Sequence, residues 1–446
     1  MSHYIERPRF SCALGGALET IGSLPGVVPI IHAASGCGGN LFSSSQAGGY
    51  YGSGYCGGLS APSSNVSEKE IIFGGEERLI EQIESTLALI DAELFVVVTG
   101  CMTGIIGDDP KAAVAKVKSK TPILVTDTAG FRGNSYKGYD YVLQTLFADY
   151  VRKSAEKEPK TVNLFGIVPA HDPFFRGDLG EIKRLLGKLD IKANTFFGFG
   201  ETMKNLKDAG KASLNIVFSR VYGTEAAETF KEVHDTPYII RDLPIGPSAT
   251  EEFLFDIVRQ LGIDEKLAAK VIDEEKQHFY WYIERVSDSY LDAELQNYAI
   301  IVADSNYAYP FTRFLSDDIG WIPKLTVITD YLNDEQKERL SGLFDKDFES
   351  VAAPRLVFET DTSQIQFRYT DSIRLYSGDR YFTVPSPLFV MGSSQDFDWA
   401  RDLNAKALSV SYPITDRAIL SKHYAGFSGG LNLFEDILDV ILKGGK

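Results

Sequence analysis

Cysteine is scarce in this 446-residue chain: four occur, Cys12, Cys37, Cys56 and Cys101, and none follows Cys101. A disulfide framework is not expected in so large a chain with so few thiols. Basic residues are also short, 45 against 61 acidic, and the resulting net charge of −16 repels phosphate backbones. No Lys/Arg cluster offsets it, so nucleic-acid binding is not expected. No stretch approaches about 18 uninterrupted apolar residues, and the opening MSHYIERPRF lacks the apolar core of a signal peptide. Neither membrane insertion nor secretion is indicated, and a cytoplasmic location is expected. The glycine fingerprints GxGxxG and GxxxxGK with Ser or Thr are both missing, which removes the usual support for dinucleotide and P-loop sites. No 20–50-residue repeat is visible.

What is present is the composition of a globular protein, 44% hydrophobic and 24% charged. At about 150 residues per domain, the length predicts three domains. All four cysteines fall in the first quarter of the chain, which points to a metal or redox site. The alternative is four unrelated buried thiols, since free Cys is among the most buried residue types.

The chain is organised around residues 92–109, AELFVVVTGCMTGIIGDD. The run Leu94 to Val98 reads as a buried parallel strand, and Cys101 follows in a small-residue turn at its carboxyl end, where ligands collect in α/β folds. Gly107-Asp108-Asp109 then opens a helix over 109–118. Upstream, Val27 to Ile31 reads as a strand, followed by the loop His32 to Gly39, whose glycines allow backbone amides close to a bulky anion. The Gly/Ser/Tyr-rich stretch 43–64 reads as a structured loop with Tyr50, Tyr51 and Tyr55 to bury. Leu79, Ile80, Ile83, Leu87 and Ile90 recur at helical spacing after Phe73-Gly74-Gly75. Strand 122–126 completes a βαβ unit, and Tyr139 to Lys153 reads as a helix.

A polar break at Glu156 to Lys160 precedes a second unit: strands 161–168, 191–197 and 213–218, helices 178–188, 201–208 and 223–233. A long helical pattern follows over 264–297. A third unit starts at Tyr298, with strands near 324–328, 354–358, 388–391 and 406–410. The expected fold class is α/β, three Rossmann-like domains with mostly parallel sheets flanked by helices. The expected bounds are 1–158, 159–297 and 298–446.

The order CxxxGA (Cys12 to Ala17), HxxxGC (His32 to Cys37), FGG (Phe73 to Gly75), TxCMxxIIGDD (Thr99 to Asp109), FxGxxxxGYD (Phe131 to Asp140) and YPxxDR (Tyr412 to Arg417) resembles component 1 of the nitrogenase superfamily. The resemblance runs end to end and is strongest over residues 10–140. It implies an α and a β subunit associating as α2β2, each of three Rossmann-like domains. Three cysteines from each would hold an interfacial iron–sulfur cluster of the P-cluster type, 8Fe-7S, or a simpler 4Fe-4S cluster. An ATP-dependent iron protein would deliver electrons.

Carried over by motif, Cys12, Cys37 and Cys101 are the expected metal ligands. Gly36, Gly100 and Gly130 are the expected cofactor-contacting glycines, and Phe73 is the expected reductase-docking residue. Phe73 also reads as a hydrophobic staple for the helix after it. His32 reads as bonded to loop backbone rather than to iron. Cys56 is an extra thiol, either a ligand or a bystander.

The absence of any cysteine after Cys101 removes the middle-domain ligand that the family's α subunit uses for its catalytic cofactor. His423 precedes the position of that subunit's C-terminal histidine, and a surface or capping role is its ordinary reading. The resemblance is therefore to the electron-relaying β subunit, an oxidoreductase subunit inactive without its α partner and with no catalytic residue of its own. Nitrogen-fixing β subunits often carry a serine where this chain has Gly130. Together with the unusual 38–60 loop, that departure points toward nitrogenase-like reductases, with methylthio-alkane (carbon–sulfur bond) reduction as the expected activity. A dinitrogen-reducing β subunit, a cofactor-assembly scaffold and a tetrapyrrole reductase subunit are the alternatives, beside a small-ligand α/β protein with inert cysteines.

Overall fold

A computed structural model describes residues 4–39, 48–49, 61–292, 295–348, 353–374, 378, 380–381 and 383–443. The strands assemble into three sheets. In the first, β1 (Val27–His32), β2 (Leu94–Thr99) and β3 (Ile123–Thr126) lie in the order β1-β2-β3. The second holds β4 (Glu158–Phe165), β5 (Lys192–Asn194), β6 (Ala212–Val217) and β7 (Tyr238–Ile240), in the order β5-β4-β6-β7. The third holds β8 (Tyr298–Ala303), β9 (Ile322–Ile328), β10 (Arg355–Phe358), β11 (Leu388–Gly392) and β12 (Lys406–Ser409), in the order β10-β9-β8-β11-β12. Neighbouring strands pair in parallel throughout. The fold is α/β, parallel sheets flanked by helices, as the alternation of patterns implies.

β2 is buried at every position, which is why its sequence is a continuous apolar run rather than an alternating one. Eight helices recur below: α1 (Ala13–Gly22), α2 (Glu68–Phe73), α3 (Glu76–Leu89), α4 (Cys101–Ile106), α5 (Pro110–Lys116), α6 (Ser135–Asp149), α7 (Phe175–Lys188) and α8 (Gly246–Gln260). One hydrophobic cluster runs through all three sheets, from Leu14 and Tyr139 through Phe165 and Tyr307 to Tyr424. No helix among the described residues is long and apolar enough to cross a membrane.

The sequence pattern and the structure differ in places. The Cys101 turn is a short helix, α4, closed by Gly107 in the left-handed conformation at φ 79°. Asp109 then caps α5 by accepting from Ala112 N–H. α6 starts at Ser135, four residues before Tyr139, because Asn134 caps it through Lys137 N–H. β7 and α8 have no counterpart among the expected elements.

Helices α1 and α6 pack at backbone contact. A β-carbon at Gly16 would lie 1.9 Å from Ser135 O, and one at Gly138 would lie 2.0 Å from Ala13 O. The glycines of CxxxGA and GYD thus bring two helices together at the end that carries Cys12.

Candidate functional site

Three of the four cysteines reach one edge of the first sheet. Cys12 is the N-cap of α1, and its flanks are tied to the start of α6: Ala13 N donates to Gly133 O at 3.0 Å and Ser135 N to Ser11 O at 2.8 Å. Cys37 sits in a 3-10 turn, Ser35–Gly38, just after β1. Cys101 opens α4, just after β2. Because His32 and Thr99 are register partners at the strand ends, the two loops leave the sheet side by side. Gly100 allows this: its N–H donates to His32 O at 2.9 Å, and a β-carbon on it would lie 2.5 Å from that of Ala33.

Gly130 gives the tightest measure of convergence. A β-carbon there would stand 2.9 Å from Cys101 Sγ, 3.2 Å from Cys12 Cβ and 3.5 Å from Cys12 Sγ. Cys37 belongs to the same group. Burial pushes its thiol up from the ordinary range, and the neighbouring Cys12 and Cys101 sulfurs push in the same direction. None of the three is in a disulfide. No group of three or more His, Cys, Asp or Glu side chains among the described residues is arranged to hold a single metal ion. Gly36 and Gly39 face open space, with nothing within 4 Å of a β-carbon. Cys56 lies outside the described residues.

His32 bonds to side chains, not to loop backbone as its position suggests. Its Nδ1 lies 3.0 Å from Ser64 Oγ and its Nε2 lies 3.0 Å from Asp108 Oδ2. Burial holds the imidazole below its ordinary range against the pull of Asp108. Both nitrogens are committed, leaving none for a metal. Asp108 also accepts Gly75 N–H at 2.8 Å. A β-carbon at Gly75 would lie 2.5 Å from Asp108 Oδ2, which accounts for the second glycine of FGG. Each member lies in a motif noted above, HxxxGC, FGG or IIGDD, but nothing local signals that they meet, since they are 76 and 33 positions apart.

Phe73 ends α2 and is 80% exposed, so it does not serve as a staple for α3. Ile72, Ile105 and Phe131 are also exposed, and α2 touches α4. Phe131 lies over α4, its ring 3.2 Å from where a β-carbon on Gly104 would be. An apolar surface therefore surrounds the cysteine edge. His423, by contrast, is bonded through Nε2 to Ser428 Oγ at 3.1 Å.

A family model for nitrogenase component 1 type oxidoreductases matches residues 12–442, from the first of these cysteines almost to the end of the chain. The chain belongs to that family. It is 23% identical over 477 aligned residues to the nitrogenase molybdenum-iron protein beta chain of Methanococcus maripaludis, covering 98% of this chain and 94% of that one. It is 27% identical over 258 residues to one chain of the light-independent protochlorophyllide reductase of Heliobacterium modesticaldum, covering 56% of this chain and 48% of that one. The fold matches a solved structure of nitrogenase Cp1 at pH 6.5 with a TM-score of 0.78 and 19% identity, covering 100% of this chain and 94% of that one. Within the nitrogenase component 1 superfamily the chain is of the β type, and the family is one of oxidoreductases.

Proposed function

We propose that this chain is the electron-relaying β-type subunit of a nitrogenase-like reductase. Cys12, Cys37 and Cys101 would hold its half of an iron–sulfur cluster shared with an α-type partner. The observation that carries the reading is Gly130, which packs against the side chains of Cys12 and Cys101, with Cys37 in the turn that follows the neighbouring strand β1. The donor set fits such a group: thiolates are the normal ligands of iron–sulfur clusters, and in a polynuclear cluster each binds its own iron rather than all three one ion. When bound, the cluster supplies one-electron redox chemistry. The chain supplies close backbone approach at Gly100 and Gly130 and an apolar rim for the partner.

The reading extends to an α2β2 assembly, to docking of an ATP-dependent iron protein at Phe73, to a cytoplasmic location and to inactivity without the α subunit. It also extends to three domains over 1–158, 159–297 and 298–446, and to a P-cluster type of 8Fe-7S or, failing that, 4Fe-4S. For the substrate we favour a methylthio-alkane, because Gly130 stands where a serine ligand is common in nitrogen-fixing relatives. Dinitrogen and tetrapyrrole substrates, and an assembly-scaffold role, suit the same family.

The test is anaerobic purification of the chain with its α partner. Broad visible iron–sulfur absorption, lost in Cys37→Ala and Cys101→Ala, is the expected result. Iron at background, or iron unchanged in both variants, overturns the reading. ATP- and reductase-dependent turnover on methylthio-alkanes, dinitrogen and protochlorophyllide then assigns the substrate. Release of a cluster to an acceptor without turnover identifies a scaffold.

A further inference from the structure

The third sheet reverses its strand order between β8 and β11, the position at which an open parallel sheet leaves a crevice for a ligand. The pairing of these strands ends at Ile301 and Met391, so the Val302 carbonyl lies beyond it and accepts from side chains, Ser411 Oγ at 2.8 Å among them. The crevice is filled by a residue from the other end of the chain. Arg9 is buried, and its Nη2 donates to both oxygens of the fully buried Asp396 at 2.6 Å. Its Nε donates to Thr362 Oγ1 at 3.0 Å and its Nη1 to Val302 O at 3.4 Å. Residues just before it are strapped to the same loops. The N–H groups of Glu6 and Arg7 donate to Asp361, and Thr362 N–H donates to Arg7 O.

The acceptor is prepared for this guanidinium. Asp396 is held by Ser393 N–H at 2.7 Å and Trp399 Nε1 at 2.9 Å, while a β-carbon at Gly392 would fall 2.3 Å from Asp396 Oδ2. A planar group whose three nitrogens reach a carboxylate, a hydroxyl and a carbonyl at once is supplied by Arg and not by Lys. Three residues beyond Arg9 the chain reaches Cys12.

We propose that Arg9 acts as an internal ligand of the third sheet's crevice and is thereby the positioning residue for Cys12. The start of α6 holds residues 11 and 13 on either side of Cys12, and the strap over residues 6–9 anchors the chain that enters this segment. The importance of Cys12 rests on the function proposed above, but its placement can be measured without iron.

The experiment uses the full chain, reduced and freed of iron, with the alkylation rate of each cysteine by N-ethylmaleimide followed by peptide mass spectrometry. Arg9→Ala is expected to raise the Cys12 rate about tenfold, equivalent to about 1.4 kcal/mol of local opening, with Cys37 and Cys101 changing less than about twofold. Methylguanidinium below denaturing concentration restores the slow rate; methylammonium does not. Arg9→Lys behaves like Arg9→Ala. An unchanged Cys12 rate, an equal rise at all three thiols, or restoration by methylammonium overturns the proposal. If Arg9→Ala does not fold, Arg9→Lys decides by the same selectivity. Failure of both to fold also overturns it, since the pair would then support the third sheet as a whole. Selective loosening of Cys12 in a protein whose αβ complex carries no iron would uphold the positioning and reject the cluster.

Discussion

Gly130 turns its α-carbon toward the sulfur of Cys101, leaving no room between them for a methyl group: a β-carbon would stand 2.9 Å away. The two are 29 positions apart, and the loop after β3 meets the start of α4 only because β2 and β3 are register neighbours. Gly130→Ala is therefore expected to displace the Cys101 side chain, because overpacking of this size costs about 1–3 kcal/mol unless the neighbour moves. The iron bound by the αβ complex should fall by about half or more, measured against protein by colorimetric assay. Full iron content with an unaltered visible spectrum would show that Gly130 does not bound the site.

The contact between α1 and α6 predicts a loss of stability. A β-carbon at Gly138 meets backbone, Ala13 O at 2.0 Å and Ala17 N at 2.7 Å, and neither atom can rotate away. Gly138→Ala should destabilise the chain by about 2–3 kcal/mol in chemical denaturation. Gly180 in α7 provides the control, since nothing lies within 4 Å of its β-carbon position. Gly180→Ala should stabilise by about 0.5–1 kcal/mol through helix propensity alone. Equal effects of the two substitutions would refute the packing account.

Stability should fall as pH rises through neutrality. Asp140 is buried, with one oxygen accepting Gly223 N–H at 2.8 Å, and burial pushes its carboxyl up to about 7. Asp304 is raised to about 7 as well, by burial and then by the charge of Asp330. Both groups hold a proton in the folded chain that they lose on unfolding between about pH 4 and 7. Their contribution is thus complete below pH 4 and lost as pH rises through the folded value, with a limiting slope of about 1.4 kcal/mol per pH unit for each. Asp140→Asn keeps an acceptor for Gly223 and removes one titration. Urea midpoints measured from pH 5 to 8 should decline less steeply in this variant, and parallel curves would contradict the assignment.

The buried strands were legible because they are buried. β1, β2 and β8 are continuous apolar runs, and their bounds agree with the pattern to within a residue or two. α4 was not legible, because six residues carry too little periodicity and its stop is a left-handed Gly107. The three cysteines that gather at one edge were visible as an ordered set, whereas the packing around them was not. Of the glycines expected at the site, Gly100 and Gly130 are crowded while Gly36 faces open space, and Gly75, crowded against Asp108, was marked only as part of FGG. Which glycine is crowded depends on strand register, which no local motif encodes. Arg9 and Asp396 are 387 positions apart, and nothing near either signals the other.

Phe73 separates docking from folding. An aromatic side chain 80% exposed contributes little to the core, so Phe73→Ala should shift stability by no more than about 0.5 kcal/mol. The residue nevertheless adjoins the cysteine edge through Gly75, whose N–H is held by Asp108, the residue that follows the α4 cap. If the reductase docks there, loss of an exposed aromatic at the centre of an interface costs about 2 kcal/mol or more of binding, a factor of about 30. Electron delivery by the iron protein should then drop at limiting reductase and recover partly at saturating reductase. Reduction of the same complex by a small chemical donor should be unaffected, because that route bypasses the surface. Equal loss by both routes would place Phe73 in the relay rather than at the dock, and no loss by either would put the dock elsewhere.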